Sequence, residues 1–189
     1  MKRIKNFRLT NPGRRACVVA LAISLAAAVQ AGAEQFTATM VNPEGRPSTL
    51  PVVIHIDRYS TEAEVQKLSG ILDRKGPDSL RDALWDLEKG YIRVGNGLGY
   101  PIAVVLAKPA GAGRDIRIMM DRQISFRELA NGARSLDYPF SYIDLKVGRD
   151  GKGEGQMFAA ARISMTAGTV DVENYNALPL KLLGVRATR

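Results

Sequence analysis

Most of the chain after Tyr91 alternates between apolar and polar residues at the period of an extended strand. Ile116, Ile118 and Met120 occupy every second position of one run, and Ile143, Leu145 and Val147 do the same in another. Successive side chains of a strand point to opposite faces, so each run predicts a strand with one buried face. Short turns separate the runs, which favours antiparallel neighbours. With the run that begins at Glu34, the pattern predicts about eight strands in one antiparallel sheet, curved into a sandwich or an open barrel.

One stretch with a helical period follows the second predicted strand. Thr61 and Glu64 have the spacing of a capping box, in which each residue caps the other across the first helical turn. Apolar residues then recur at helical spacing up to Leu72, and Gly76-Pro77 ends this helix. A second amphipathic helix extends towards Gly90. The pattern predicts an αα-hairpin packed on the sheet, and therefore the α+β fold class.

The first 33 residues have the three parts of a signal peptide. Six basic residues and no acidic residue are followed by an apolar run from Cys17 to Val29, and Ala31-Gly32-Ala33 supplies the small residues of a cleavage site. The apolar run is shorter than the roughly 20 residues of a membrane span. We therefore expect export and cleavage after Ala33, which leaves residues 34–189 as a single globular domain. Both a periplasmic and an extracellular destination remain open.

The leader also carries most of the excess positive charge. The whole chain has 27 Lys and Arg residues against 19 Asp and Glu; six of the 27 lie in the leader, so the mature chain has 21 against 19. A nearly neutral domain does not favour a nucleic-acid partner. No part of the mature chain is predicted to insert into a membrane. Arg14-Arg15 precedes the apolar run, so the twin-arginine route stays open beside general secretion.

The sequence predicts no metal site and no cofactor. Cys17 is the only cysteine and His55 the only histidine, which leaves too few zinc ligands. The stretch GRDGKGEG, residues 148–155, is rich in Gly and Asp like a calcium loop. Lys152 stands where an oxygen ligand is needed, so a hairpin turn is preferred there. The glycine clusters GNGLG and AGAG lack the Lys-Ser or Lys-Thr pair of a phosphate loop.

The stretch HIDRYST, residues 55–61, contains the only histidine together with acidic, basic and hydroxyl side chains. A catalytic histidine requires an orienting carboxylate and a nucleophile within reach. Asp57 is two residues along the same strand face, about 6–7 Å from His55 if the strand is straight. Thr61 is needed as the helix cap. We interpret the stretch as a strand-to-helix junction, with Asp57 and Arg58 forming a charge pair.

Aromatic residues alternate along a later predicted strand and suggest a binding surface. Tyr138, Phe140 and Tyr142 share one face of the stretch DYPFSYIDL. This row either packs beneath the helical hairpin or lines a binding groove. With the nearby charged residues it forms the candidate ligand-binding set. The set consists of Arg122, Arg134, Asp137, Tyr138, Phe140 and Tyr142. It favours a non-catalytic binding module for a protein, a glycan or a small amphipathic ligand.

The alternative function is a carbohydrate-active hydrolase. Such enzymes hold an acid and a second carboxylate roughly 5–10 Å apart. The candidate carboxylates at or near predicted strand ends are Asp57, Asp121 and Glu154. Arginines are close to several of them in the sequence, so ordinary ion pairs account for these residues equally well.

Several stretches of the mature chain resemble an uncharacterised family of exported bacterial proteins. The stretches are IDRYSTEAE, GRDIRIMMDRQISFRE, DYPFSYIDL, GEGQMFAAARI and VENY. The resemblance extends over most of the mature chain. It implies export and a single domain, and it supplies no activity, cofactor or catalytic residue.

Overall fold

The computed structural model describes residues 32–43, 49–124, 137–166, 169–174 and 178–188. In this part of the chain it has ten strands and one helical element, so the predicted α+β class with an antiparallel sheet is confirmed. The elements in chain order are β1 Glu34–Val41, β2 Thr49–Ile56, α1 Glu62–Leu84, β3 Gly90–Val94, β4 Tyr100–Ile102, β5 Val104–Ala110, β6 Gly113–Met120, β7 Phe140–Val147, β8 Lys152–Thr166, β9 Thr169–Asn174 and β10 Leu180–Thr188.

Two differences account for ten strands where about eight are expected. The apolar run around Ile102 is interrupted at Ala103, which divides it into β4 and β5. The last strand, β10, is absent from the prediction. Its register shifts against β8 between Leu182 and Val185, and Gly184 lies inside this irregularity with a φ of 61°. A bulge of this kind breaks the two-residue period by which a strand is recognised.

The sheet is a nearly closed barrel, the second of the two predicted forms. Its strand order is β4-β3-β2-β1-β10-β8-β7-β6-β5, and β9 pairs only with β8. The first and last strands of this order are consecutive in the chain, because Ala103 alone separates β4 from β5. Ala103 N donates to Met119 O of β6 at 3.0 Å. One continuous stretch of chain therefore pairs with β3 at one end and with β6 at the other, which brings the two edges of the sheet together.

Inward-facing side chains of the strands fill the barrel. The alternation predicted for β6 and β7 is present, with Ile116, Ile118, Ile143 and Leu145 fully buried. They belong to one core cluster drawn from both halves of the sheet. The turn at residues 148–151 joins β7 to β8 as predicted, and Gly151 N donates to Gly148 O at 3.0 Å. Hydrophobic side chains thus occupy the interior, as is usual for small barrels.

The predicted αα-hairpin is not seen. A single helical element, Glu62–Leu84, occupies this part of the chain, and it is kinked at Gly76, where φ is 82° and ψ is −176°. Glycine reaches this φ at little cost, and the following Pro77 has the φ that a new helical turn requires. The Gly-Pro pair therefore separates two helical segments at a kink, and both segments belong to the one helical element Glu62–Leu84.

The capping box at the start of α1 is confirmed. Thr61 Oγ1 accepts a hydrogen bond from Glu64 N at 3.2 Å, and Glu64 Oε2 accepts one from Thr61 N at 2.7 Å. These bonds satisfy backbone donors that the first turn of a helix leaves without partners. As predicted, the helix follows the second strand and begins at the capping box, with Thr61 as its N-cap and Glu62 as its first residue.

The apolar side of α1 packs on the outer face of the barrel. Leu68 and Leu72 lie before the kink and Leu80 and Leu84 after it, and all four are buried. They form a second cluster with outward-facing strand residues. These residues are Val104, Phe140, Phe158, Ala161 and Ile163, and Ala103, between β4 and β5, joins the same cluster. The helix therefore covers one side of the barrel, around β5, β7 and β8.

The predicted signal peptide lies outside the described residues except for Gly32 and Ala33, which are both exposed. Strand β1 begins at the next residue, Glu34. The single cysteine of the sequence, Cys17, excludes a disulfide bond within the chain. Among the described helical residues, no segment has both the length and the apolar composition needed to cross a membrane.

Candidate binding surface

The stretch HIDRYST forms a strand-to-helix junction, with β2 ending at Ile56 and α1 beginning at Glu62. His55 Nε2 and Asp57 Oδ1 are 3.1 Å apart. The two residues are two positions apart on the same side of the chain, and their side chains reach towards each other across this spacing. Asp57 therefore pairs with His55, where a pair with Arg58 is predicted.

Among the described residues, no hydroxyl group bonds to His55 as a nucleophilic site would require. Its ring stacks on that of Tyr91, with the ring centroids 5.2 Å apart. The hydroxyl groups of HIDRYST are engaged elsewhere: Ser60 Oγ accepts from Val105 N at 3.1 Å, and Thr61 caps α1. The His55 contacts within the described residues are thus a carboxylate and a stacked aromatic ring.

An ion pair between a buried lysine and a partly exposed glutamate fixes the start of α1 to the barrel. Lys89, which is 2% exposed, directs Nζ to Glu64 Oε1 at 2.5 Å. The hydrogen bond from Lys89 lowers the pKa of Glu64, and the hydrogen bond from the Thr61 backbone lowers it further. The backbone carbonyl of Lys89 also accepts from Asp57 N at 2.8 Å. Glu64 thus caps the helix and neutralises a buried lysine at the same time.

One end of the barrel holds a second polar cluster. Arg114 on β6 forms a bidentate ion pair with Glu34 on β1, and its Nη1 is 3.0 Å from Glu34 Oε1. Arg114 also donates to Tyr59 Oη at 3.3 Å and lies over the Phe36 ring. Burial, and then the charge of Glu34, raises the pKa of Tyr59 to about 12. Because β1 and β6 are not neighbours in the sheet, these contacts reach across the barrel.

The three candidate carboxylates of the hydrolase alternative have separate surroundings. Asp57 contacts His55, and Asp121 is held by Arg122. Glu154 lies on β8 opposite Lys146, and strands β1 and β10 separate β8 from β2, which ends next to Asp57. Within the described ranges, no three His, Asp or Glu side chains come close enough together to hold a metal ion.

A different carboxyl group has a perturbed pKa. Burial raises the pKa of Asp144 on β7, and the neighbouring charge of Asp115 raises it further. Arg117 Nε lies 3.9 Å from Asp144 Oδ1, longer than a hydrogen bond. Asp144 is absent from the predicted acids because it lies inside β7, whereas the predicted candidates lie at or near strand ends.

The predicted aromatic row is divided between the core and the surface. Phe140 is fully buried beneath α1, and Tyr142 packs edge-on against Phe158 with ring centroids 5.8 Å apart. Burial raises the pKa of Tyr142. Tyr138 is partly exposed and Asp137 is exposed, while Arg134 lies outside the described residues. The packing interpretation thus describes Phe140 and Tyr142, and only the first part of the segment remains at the surface.

The most prominent exposed aromatic side chain near this segment is Trp85, the residue that caps the C-terminal end of α1. Trp85 is 67% exposed, and the guanidinium carbon of Arg122 lies 5.1 Å from the centre of its ring. A cation at this distance from an indole face is attracted by the electrons of the ring. Trp85 was missed at the sequence level. The sequence does contain an indication that this ring is exposed. Trp85 directly follows Leu84, the last buried leucine of the helix, and therefore points away from the buried side.

Asp121 holds Arg122 in this position. Arg122 Nε and Nη2 each donate to a different Asp121 oxygen at 2.9 Å, and Asp121 is only 4% exposed. The hydrogen bond to Asp121 raises the pKa of Arg122. We refer to Trp85, Asp121 and Arg122 as the Trp85 surface. Its geometry depends on a buried carboxylate, so the exposed ring and cation are held in place before any ligand arrives.

The Trp85 surface is joined to the predicted aromatic segment through the residues around Arg122. Ser141 Oγ lies 2.8 Å from Arg122 O and accepts from Ile124 N at 2.9 Å. Gln123 Nε2 donates to Tyr138 O at 2.6 Å. Arg122, the first member of the predicted ligand-binding set, is thus tied to the start of β7 and to Tyr138, which precedes this strand. Burial, followed by the charge of Glu173, raises the pKa of Tyr138.

Comparison of the chain with family models, with curated proteins and with solved structures finds no match.

Proposed function

We propose that the protein is an exported, non-catalytic binding module that recognises its ligand through the Trp85 surface. The observation that carries the proposal is an exposed tryptophan beside an arginine that a buried carboxylate holds in place. Tryptophan and arginine are the residue types that most often dominate the energy of recognition. Side chains held in one arrangement lose less entropy when a ligand binds.

Burial of the Trp85 ring by a ligand would stabilise the complex. A tryptophan buries up to roughly 250 Å² of surface, at about 25 cal/mol for each Å² of apolar area. Because 67% of Trp85 is exposed in the free protein, much of this stabilisation is still available to a partner. The fold itself gains little from the ring, so its position at the surface is better accounted for by recognition.

The position of the polar groups supports binding over catalysis. Asp57, Asp121 and Glu154 lie in separate surroundings, and two of them already have charged or hydrogen-bonding partners. A two-carboxylate hydrolase needs both acids beside one bond of the substrate. Export rests on the leader, whose basic start, apolar run and small residues form the pattern of a cleaved signal peptide.

The test compares variants on arrays of immobilised glycans, peptides and lipids. The wild-type protein is expected to be retained by at least one class of probe. Trp85→Ala and Arg122→Ala should each weaken that retention, Trp85→Ala by about thirtyfold or more. Leu98→Ala is the matched control, because Leu98 is 90% exposed and lies in the β3–β4 turn, outside the Trp85 surface. Retention that both surface variants leave unchanged would contradict the proposal.

A further inference from the structure

The guanidinium group of Arg122 has hydrogen-bond donors left for a ligand. Its Nε and Nη2 donate to Asp121, while Nη1 donates to none of the described residues. An arginine has five N–H groups in a planar fork, so pairing through Nε and Nη2 leaves the outer edge available. This edge is beside the Trp85 ring, over which the guanidinium lies. The site therefore combines an apolar ring face with directed donors.

The charge around this edge does not favour an anion. The positive charge of Arg122 is already matched by Asp121 at 2.9 Å. Three further acidic residues, Asp82, Asp86 and Glu88, lie within three positions of Trp85, and all are exposed. Two basic residues lie four positions from Trp85: Arg81 in the last turn of α1, and Lys89, whose charge is matched by Glu64. Acidic residues therefore outnumber basic ones at this end of the helix. Like charges close to a bound anion weaken its binding. A ligand that needs hydrogen bonds without a negative charge fits these surroundings better.

The exposed carboxylates can act as hydrogen-bond acceptors. Asp82 and Trp85 are three residues apart at the end of α1, where residues with this spacing are neighbours on the helix surface. Asp86 directly follows Trp85 in the chain. The site thus has an aromatic face, donors from Arg122 and acceptors from aspartate. A pyranose ring has the matching arrangement, with C–H groups on its faces and hydroxyl groups around its rim.

We propose that the ligand of the Trp85 surface is a neutral glycan, one of whose sugar rings stacks on Trp85 while its hydroxyl groups bond to Arg122. This inference rests on the proposed function and names its ligand class. Two other classes fit less well. The carboxylates at the end of α1 would repel an acidic polysaccharide. A cationic peptide would compete with Arg122 for the indole ring.

Trp85 is the only tryptophan in the chain, so its fluorescence reports on this site alone. The whole chain is expressed, and the purified protein is titrated with neutral hexasaccharides of β-1,4-linked glucose, β-1,4-linked N-acetylglucosamine and α-1,4-linked glucose. Hexagalacturonate and tetralysine are the charged probes. We expect a saturable change in emission with at least one neutral hexasaccharide and none with either charged probe at the same concentration.

The neutral hexasaccharide that changes the emission is then titrated into variants by calorimetry. This shows whether the fluorescence change is due to stacking on Trp85. Trp85→Ala should weaken binding by about thirtyfold or more. Arg122→Lys keeps the positive charge but loses the planar set of guanidinium N–H donors, and should weaken binding about tenfold. Leu98→Ala should bind like the wild type. Circular dichroism of each variant confirms the fold, which tolerates Trp85→Ala because the ring is largely exposed.

The inference is overturned if none of the three neutral hexasaccharides changes the emission at millimolar concentration, or if hexagalacturonate binds more tightly than they do. It is also overturned if Trp85→Ala binds the hexasaccharide as well as the wild type. The array experiment separates this failure from failure of the proposed function. Retention on a peptide or lipid probe that depends on Trp85 and Arg122 would leave the binding function standing with another ligand class.

Discussion

At the residue scale, long-range side-chain pairs determine much of the polar structure. Glu64 and Lys89 are 25 positions apart, and Glu34 and Arg114 are 80 positions apart. Neither pair has a local sequence signal, because nothing within a few residues of Lys89 indicates that its ammonium group will be buried. The capping box of Glu64 is predictable from four consecutive residues, whereas its ion pair depends on where β3 places Lys89.

Removing Glu64 should be costly because it leaves the buried Lys89 without its carboxylate. Loss of one partner of a fully buried ion pair costs about 3–5 kcal/mol, and this is an upper bound here because the Glu64 side chain is 35% exposed. We expect Glu64→Ala to lower the free energy of unfolding by about 2–3 kcal/mol, measured by urea denaturation. The double variant Glu64→Ala/Lys89→Met should recover most of the loss, because an apolar side chain then replaces the buried charge. Glu62→Ala in the same helical turn is the control, with an expected cost below about 1 kcal/mol.

The pH dependence of stability provides a second measurement of this pair. The pKa of Glu64 is lowered in the folded state, so its contribution is present above the ordinary value of 4.5 and is lost as the pH falls through the folded value. The wild type should therefore lose more stability than Glu64→Ala below about pH 4.5. The pKa of Asp144 is raised in the folded state, so this residue makes the folded state less stable as the pH rises, opposite to Glu64. If the free energy of unfolding fell equally with pH in the wild type and in Glu64→Ala, the ion pair would not be formed in solution.

At the element scale, local periods predict most of the strands and the helical character of α1. The alternation of β6 and β7 and the cap at Thr61 depend on neighbouring residues and are all present. The kink at Gly76 was predicted as a chain reversal because Gly-Pro commonly ends a helix. Tertiary packing decides the outcome. Leu72 before the kink and Leu80 after it join the same cluster against the barrel.

Substitution of Gly76 tests whether the kink is required. Its φ of 82° is unfavourable for alanine, while an added Cβ would meet no heavy atom within 4 Å. We therefore expect Gly76→Ala to lower the free energy of unfolding by about 1–2 kcal/mol from backbone strain alone. Gly70→Ala, within the regular part of α1, should raise it by about 0.5–1 kcal/mol because alanine favours helix. The added Cβ would lie 3.1 Å from Arg74 Nη2, the end of an exposed and flexible side chain that can move aside. A stabilising Gly76→Ala variant, measured by thermal and urea unfolding, would mean that α1 can straighten.

At the scale of the whole molecule, the pairing of the first strand with the last is the property that the sequence conceals most. Strands β1 and β10 join residues far apart in the chain, for example Gln35 with Thr188. No local pattern contains this information, and the bulge in β10 hides the strand itself. The Trp85 surface is likewise assembled from the end of α1 and the residues after β6. The type of fold could be predicted from periodicity, but the position of the candidate site could not.

The boundary between leader and domain leads to a prediction about processing. Strand β1 begins at Glu34, directly after the expected cleavage site, and the Glu34 side chain pairs with Arg114 across the barrel. Cleavage after Ala33 would therefore remove the leader without removing any residue of the barrel. We expect the exported protein to begin at Glu34, as measured by N-terminal sequencing and by the mass of the purified chain.

Two leader variants make this prediction specific. Ala33→Arg places a long charged side chain where cleavage requires a small residue, so the leader should be retained. Lysine at both Arg14 and Arg15 preserves the basic charge while removing the arginine pair, so processing by general secretion should continue at the wild-type rate. Loss of processing in this double variant would instead indicate the twin-arginine route. Recovery of untrimmed wild-type chain from the cytosol, with its Trp85 surface active there, would contradict export and the exported role proposed for that surface.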